Sequence, residues 1–100
     1  MANQQTNTST RTRTDIKFPE RFKVVLLNDD FTPMEFVIQL LVEVFNKNIN
    51  ESKEITLNIH EKGKGIAGVY GQEIAEQKQQ ESTIIARHNG HPLKIIVEPT

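Results

Sequence analysis

The chain has 100 residues, a formal net charge of −1 and no cysteine. This length is enough for one domain with a modest core. The interspersed acids and bases exclude the basic face of a nucleic-acid-binding protein, and the lack of cysteine excludes disulfides and thiolate chemistry. No apolar run approaches the roughly 20 residues that span a bilayer, and the first residues lack the apolar stretch of a secretory signal. We therefore expect a soluble, cytoplasmic protein without a nucleic-acid or membrane partner.

The first 17 residues differ in composition from the rest of the chain. They contain no large apolar residue between Met1 and Ile16, are rich in Thr, Asn and Gln, and carry Arg11 and Arg13. Such a segment cannot bury enough apolar surface to offset the entropy lost on ordering. We predict a disordered N-terminal extension over residues 1–17 and a folded core over residues 18–100. A short organellar transit peptide is the alternative interpretation of the extension.

The first two elements of the core are a strand and a helix. FKVVLLN (22–28) is apolar on both faces, which favours a buried strand. Thr32-Pro33-Met34-Glu35 fits a capping box with proline at the first helical position, so Thr32 is predicted to cap the helix. The helix should end near 46–48, with an apolar stripe at helical spacing formed by Met34, Val37, Ile38, Leu41, Val44 and Phe45.

Residues 51–62 are ambiguous. Ile55, Leu57 and Ile59 alternate with polar residues, which indicates a half-buried strand, whereas Gly63 is typical of a helix end. The pattern alone slightly favours the strand. GIAGVY (65–70) predicts a strand, residues 72–88 predict a helix, and LKIIV (93–97) predicts a last strand. The expected class is α+β, with one sheet and helices packed on one face.

Two motifs have an ordinary structural explanation. Gly63 to Gly68 matches G-x-G-x-x-G, but it leads into a predicted strand rather than a helix, so we expect the glycines to serve a turn and close packing. His60-Glu61 begins like a zinc-protease motif, but Lys64 stands where the second histidine would be. A site that combines His60 with Asp29 and Asp30 for metal binding or acid–base chemistry stays open.

Asn28-Asp29-Asp30 lies between the first strand and the first helix. Such residues commonly hydrogen-bond their own backbone in a turn. One Asp suffices for a turn, and Thr32 is predicted to cap the helix, so we expect two acceptors to be left over beside an apolar surface. Acceptors beside an apolar pocket suit a ligand with a positive head and a hydrophobic body.

These residues also carry a family resemblance. VVLLNDDFTPMEFV (24–37) resembles the ClpS family of small adaptors of the N-end rule, and so do His60, GVY (68–70), EIAEQK (73–78) and HPL (91–93). The resemblance covers about Phe22 to Glu98. It implies a three-stranded antiparallel sheet with three helices in the order β-α-α-β-α-β, similar to the C-terminal domain of a ribosomal stalk protein. It also implies that the ambiguous segment is a helix.

The resemblance implies a binding function without catalysis, cofactor or metal. The expected ligand is the first residue of a protein when that residue is Leu, Phe, Tyr or Trp. By resemblance, Asn28, Asp29 and His60 accept hydrogen bonds from its α-amino group, with Asp29 acting directly or through water. Because His60 must be neutral to accept, binding should weaken in acid. Asp30 and Thr32 would shape the loop and contact the ligand backbone.

The resemblance further assigns a side-chain pocket to Met34, Val37, Thr56, Ile59 and Leu93. Met34 would act as a gate against β-branched first residues. The family often has Met where this chain has Thr56, which should alter the pocket floor in a direction that the sequence does not reveal. From periodicity alone, Met34 and Val37 would be core residues.

Glu73 and Lys78 match the family surface that docks on the N-terminal domain of a ClpA-type AAA+ unfoldase. Without the resemblance they would belong to an ordinary solvated helix face. The implied function is delivery of bound proteins to this unfoldase for degradation by ClpP, by a monomeric adaptor that also modulates the unfoldase's substrate choice. The alternatives are an enzyme or metalloprotein built on Asp29, Asp30 and His60, and a stalk-like interaction module without a ligand pocket.

Overall fold

The computed structural model describes residues 20–100. Its elements follow the order β-α-α-β-α-β that the resemblance implies: β1 Phe22–Leu27, α1 Met34–Glu43, α2 Ile49–Lys62, β2 Lys64–Tyr70, α3 Gln72–His88 and β3 Lys94–Pro99. The predicted extension at residues 1–17 lies outside the described residues.

The three strands form one antiparallel sheet in the order β2-β1-β3. β1 is the central strand, and its residues Val24, Val25 and Leu26 are buried. Val24 and Leu26 point into the core and are fully buried. On the opposite face Lys23 pairs across the strands with Glu98, with 3.8 Å between Nζ and Oε1. The sheet therefore has one face packed on the core and one face with charged residues.

All three helices contribute to the core on the inner face of the sheet, as predicted. They do so through Val37, Leu40, Leu41, Ile59, Ala75 and Ala86. The buried positions of α3 are Ala75, Ser82 and Ala86, which are small and let the helix approach the sheet closely. The predicted α+β class with helices on one face is confirmed.

The predicted stripe of α1 is correct at Val37, Leu41, Val44 and Phe45, which are buried. It omitted Leu40, which is buried, and included Met34, which is 40% exposed. The helix also ends earlier than expected, at Glu43. The chain turns at Asn46, which has a φ of 57°, a left-handed conformation that asparagine tolerates better than most residues.

The strand that the alternating pattern favoured over residues 51–62 is wrong, and the helix implied by the resemblance is present. Asn48 caps α2, since its side chain accepts a hydrogen bond from the Glu51 amide at 2.8 Å. Gly63 ends the helix with a φ of 90°. Ser52, Thr56 and Ile59 are buried at helical spacing, so these capping signals and not the alternation define the element.

The glycine run serves the turn and the packing that we expected. Gly63 terminates α2 and the chain continues into β2 rather than into a helix. A Cβ at Gly65 would lie 2.7 Å from Ile59 Cγ1, so only glycine lets β2 approach α2 at this point.

Candidate functional site

The loop after β1 is held by Asp29. Its Oδ1 accepts hydrogen bonds from the backbone amides of Phe31 and Thr32, each at 2.8 Å. Its Oδ2 accepts one from the Thr32 hydroxyl at 2.7 Å. Three donors therefore fix the carboxylate and leave one acceptor position on Oδ2 unused by these bonds.

The predicted capping box is wrong. Pro33 is the N-cap residue of α1, and the helix has no side-chain cap. The Thr32 hydroxyl instead donates to the Asp29 carboxylate, a charge-assisted hydrogen bond that is stronger than one between neutral groups. Asp29 is therefore the one acidic residue that holds the turn, and Asn28 and Asp30 are the other two polar residues of the cluster.

The environment of Asp29 favours its ionised form. Partial burial raises the pKa of this carboxyl, but the hydrogen bonds from Thr32 and Phe31, together with attraction to the charge of His91, outweigh that effect. The pKa therefore lies below its ordinary value, and the loop carries a fixed negative charge at neutral pH.

A backbone hydrogen bond brings this loop to the end of α2. The Asn28 amide donates to the Gly63 carbonyl at 2.9 Å, which places Asn28 next to the last turn of that helix. His60 lies in this turn. The topology thus joins two polar segments that are about 30 residues apart in sequence.

The loop, α1, α2 and the start of β3 enclose a cavity of about 240 Å³. Its lining contains all ten residues predicted for the amine site, the loop and the side-chain pocket: Asn28, Asp29, Asp30, Thr32, Met34, Val37, Thr56, Ile59, His60 and Leu93. It also contains Leu27, the last residue of β1, which sequence reasoning missed although the end of a strand beside a polar loop was the available signal.

The lining of this cavity is divided by polarity. Asn28, Asp30 and His60 are exposed, and so is Met34, which places them at the mouth. The inner wall is buried and mostly apolar, formed by Val37, Thr56, Ile59 and Leu93. Among residues 20–100, the side chains of Asn28, Asp30 and His60 have no hydrogen-bond partner. The mouth therefore offers convergent acceptors beside an apolar wall.

The β3 side of the cavity is fixed by Arg87. Its guanidinium donates to the carbonyl oxygens of Leu93 at 2.7 Å and His91 at 3.0 Å. The His91 ring contacts Phe36 of α1 edge-on, with 4.5 Å between ring centroids. These contacts anchor Leu93, which is 1% exposed, in the wall.

Glu73 and Lys78 lie on α3, which contributes no residue to the cavity lining. Glu73 is exposed in the first turn. Lys78 is partly buried, and its Nζ donates to the Val44 carbonyl at 2.7 Å and lies 5.6 Å from the centroid of the Tyr70 ring. The structure thus separates this pair from the cavity and gives Lys78 a structural contact at the end of α1.

Within the part of the chain that the structure describes, no three His, Asp or Glu side chains are grouped as they would be around a metal ion. None of the helices over residues 20–100 is long and apolar enough to cross a membrane.

The fold and the cavity define a small α+β protein with a pocket that has polar acceptors at its mouth and apolar walls. The family model of the "ATP-dependent Clp protease adaptor protein ClpS" matches residues 17–96. The chain belongs to this ClpS family.

Individual relatives carry the same description. The chain is 46% identical to the ATP-dependent Clp protease adapter protein ClpS of Deinococcus radiodurans over 92 residues, which is 92% of this chain and 81% of that protein. It is 48% identical to the ClpS of Helicobacter hepaticus over 80 residues, which is 80% of this chain and 81% of that protein.

A solved structure shares the fold. Agrobacterium tumefaciens ClpS2, determined bound to L-phenylalaninamide, superposes with a TM-score of 0.80 at 36% identity. The match covers 83% of this chain and all of that one. The relatives are thus adaptors of the Clp protease, a class that acts by binding, and one structural neighbour binds an amino-acid amide.

Proposed function

We propose that this protein binds the first residue of other proteins when that residue is Leu, Phe, Tyr or Trp, and delivers them to a ClpA-type AAA+ unfoldase for degradation by ClpP in the cytoplasm. The observation that carries the proposal is the single cavity that unites Asn28, Asp29 and His60 with the apolar wall. Adaptor relatives and the amide-bound ClpS2 support it.

The polar mouth matches a free α-amino group. This group has an ordinary pKa of about 7.7–8.0, so at neutral pH it is mostly an ammonium with three donors. The acceptors are the Asn28 side-chain oxygen, a neutral His60 nitrogen and the open lone pair of Asp29 Oδ2 or a water bound to it. The fixed charge of Asp29 attracts the ammonium, and Asp30 and Thr32 line the path of the ligand backbone.

The apolar wall matches the side chain of the first residue. Burial of a Leu or Phe side chain contributes roughly 1.5–3 kcal/mol. Met34 is 40% exposed at the mouth, where its flexible side chain narrows the entrance next to the ligand's Cβ and disfavours branching there. Val and Ile at the first position should therefore bind poorly.

Delivery uses a second surface. Glu73 on α3 is exposed and lies outside the cavity, so an unfoldase domain bound there leaves the mouth open. We assign docking to Glu73 and Lys78. Lys78 contributes the solvent-accessible part of its side chain, because its ammonium group donates a hydrogen bond to the Val44 carbonyl.

Degradation of a folded reporter tests this function. With a ClpA-type unfoldase, ClpP and ATP, a reporter that starts with Leu should be degraded faster when this protein is added, and a matched reporter that starts with Gly should not. Asn28→Ala should abolish the acceleration through loss of binding, and Glu73→Ala through loss of docking while peptide binding is kept. Equal degradation of both reporters would refute the proposal.

A further inference from the structure

The inner wall of the cavity contains one hydroxyl, on Thr56. This residue is 4% exposed, and its Oγ1 donates to the Ser52 carbonyl at 2.8 Å, one turn earlier in α2. A hydroxyl has one donor and two acceptor lone pairs. The donor is used within the helix, so Thr56 still offers acceptor positions in the buried wall.

A second hydroxyl lies one helical turn behind Thr56, on Ser52. Ser52 is fully buried, and its Oγ is the only buried side-chain polar atom without a hydrogen-bond partner among residues 20–100. Buried polar groups are almost always paired, because an unpaired one keeps the full cost of its desolvation. Ser52 does not line the cavity itself, but it lies next to Thr56 on the same face of α2.

The two hydroxyls follow His60 along the helix in a fixed order. Thr56 lies about 6 Å and Ser52 about 12 Å from His60 along the axis, from the rise of 1.5 Å per residue. His60 is exposed at the mouth of the cavity and Thr56 lies on its buried wall, so a side chain that enters past His60 meets the Thr56 hydroxyl, whereas Ser52 lies behind the wall. Among the expected first residues, Tyr is the one whose polar atom lies at the far tip of the side chain.

We propose that the Thr56 hydroxyl gives the pocket a polar floor that makes it favour an N-terminal Tyr over Phe. This inference rests on the proposed function. The phenol donates to Thr56 Oγ1, whereas Phe fills the same space and leaves that acceptor unpaired. A neutral hydrogen bond in a buried site corresponds to a preference of about 3- to 10-fold.

Fluorescence anisotropy with three labelled peptides, identical after a first residue of Tyr, Phe or Leu, tests the floor. Tyr should bind about 3- to 10-fold more tightly than Phe. Thr56→Val, which keeps the shape and removes the hydroxyl, should bring the ratio towards one, whereas Thr56→Ser and the matched control Ser52→Ala, whose hydroxyl lies outside the lining, should preserve it. Circular dichroism checks that each variant is folded.

The results separate this inference from the function beneath it. Binding of none of the three peptides would refute the proposed function. Binding of Phe as tight as or tighter than Tyr by the unaltered protein would overturn the polar floor and leave the function intact. So would a Tyr-to-Phe ratio that stays unchanged in Thr56→Val, or one that falls as much in Ser52→Ala as in Thr56→Val.

Discussion

The Asp29 carboxylate should be a main determinant of loop stability, and its removal gives a quantitative prediction. Asp29→Ala deletes the acceptor for three donors, at 2.7 to 2.8 Å. Hydrogen bonds to a charged group contribute about 1.5–3 kcal/mol each when buried, but the loop is partly exposed and the freed amides can turn to water. We therefore expect a total loss of about 2 kcal/mol, which lowers the melting temperature by roughly 8–16 °C. Asp29→Asn keeps one acceptor oxygen and should cost about half as much.

The pH dependence of this loss identifies the charge as its cause. The pKa of Asp29 is lowered in the folded protein from an ordinary value of 3.8, so ionised Asp29 adds to the free energy of unfolding above that value. This contribution disappears as pH falls through the pKa of Asp29 in the folded protein. The difference in unfolding free energy between the unaltered protein and Asp29→Asn, from urea titrations, should be constant from about pH 7 to 5 and should shrink below about pH 4. A difference that is unchanged down to about pH 3, or an Asp29→Ala variant as stable as the parent, would refute this reasoning.

Four further substitutions test the cavity and the docking surface. Met34→Ala removes the proposed gate and should reduce the preference for Leu over Val peptides to about tenfold. A preference of that size is what the one extra methylene of Leu contributes by itself. Anisotropy with the two peptides measures it. Gly65→Ala places a Cβ 2.7 Å from Ile59 Cγ1 and should cost about 1–3 kcal/mol in urea unfolding and weaken Leu-peptide binding. Lys78→Met should lower the free energy of unfolding by about 1 kcal/mol, because the hydrogen bond from Lys78 to the Val44 carbonyl is lost. Glu73→Ala should change the free energy of unfolding by less than about 0.5 kcal/mol. If Glu73→Ala retains unfoldase binding in a pull-down, the docking surface is assigned wrongly.

The sequence predicted most of the fold because its strands and α3 have clear signals. The apolar run of β1 and the period of α3 each have one dominant interpretation, and the structure has these elements nearly where predicted. α2 shows the limit of patterns. Its alternating apolar residues favour a strand, whereas the Asn48 cap and Gly63 are signals for a helix, and the pattern alone gave too little weight to those signals.

The residues of the site were predictable, but their bonding was not. The family resemblance named ten residues that the structure gathers around one cavity, although their roles in binding stay predictions. Sequence spacing assigned the Thr32 hydroxyl to the helix, whereas it donates to Asp29. Spacing alone cannot decide whether a hydroxyl accepts from a helix amide or donates to a nearby carboxylate. The contribution of Leu27 to the lining likewise depends on how β1 meets the loop in three dimensions.

The most direct test of the central claim is anisotropy with three labelled peptides that differ only at the start: Leu, acetyl-Leu and Val. Acetylation removes the charge and donors of the amine, so a bound ligand would cover the acceptors at the mouth without pairing them, at a cost of about 1–3 kcal/mol per group. The account predicts tight binding of the Leu peptide alone. Equal binding of all three peptides, or binding of none, would contradict recognition of an N-terminal residue by this cavity.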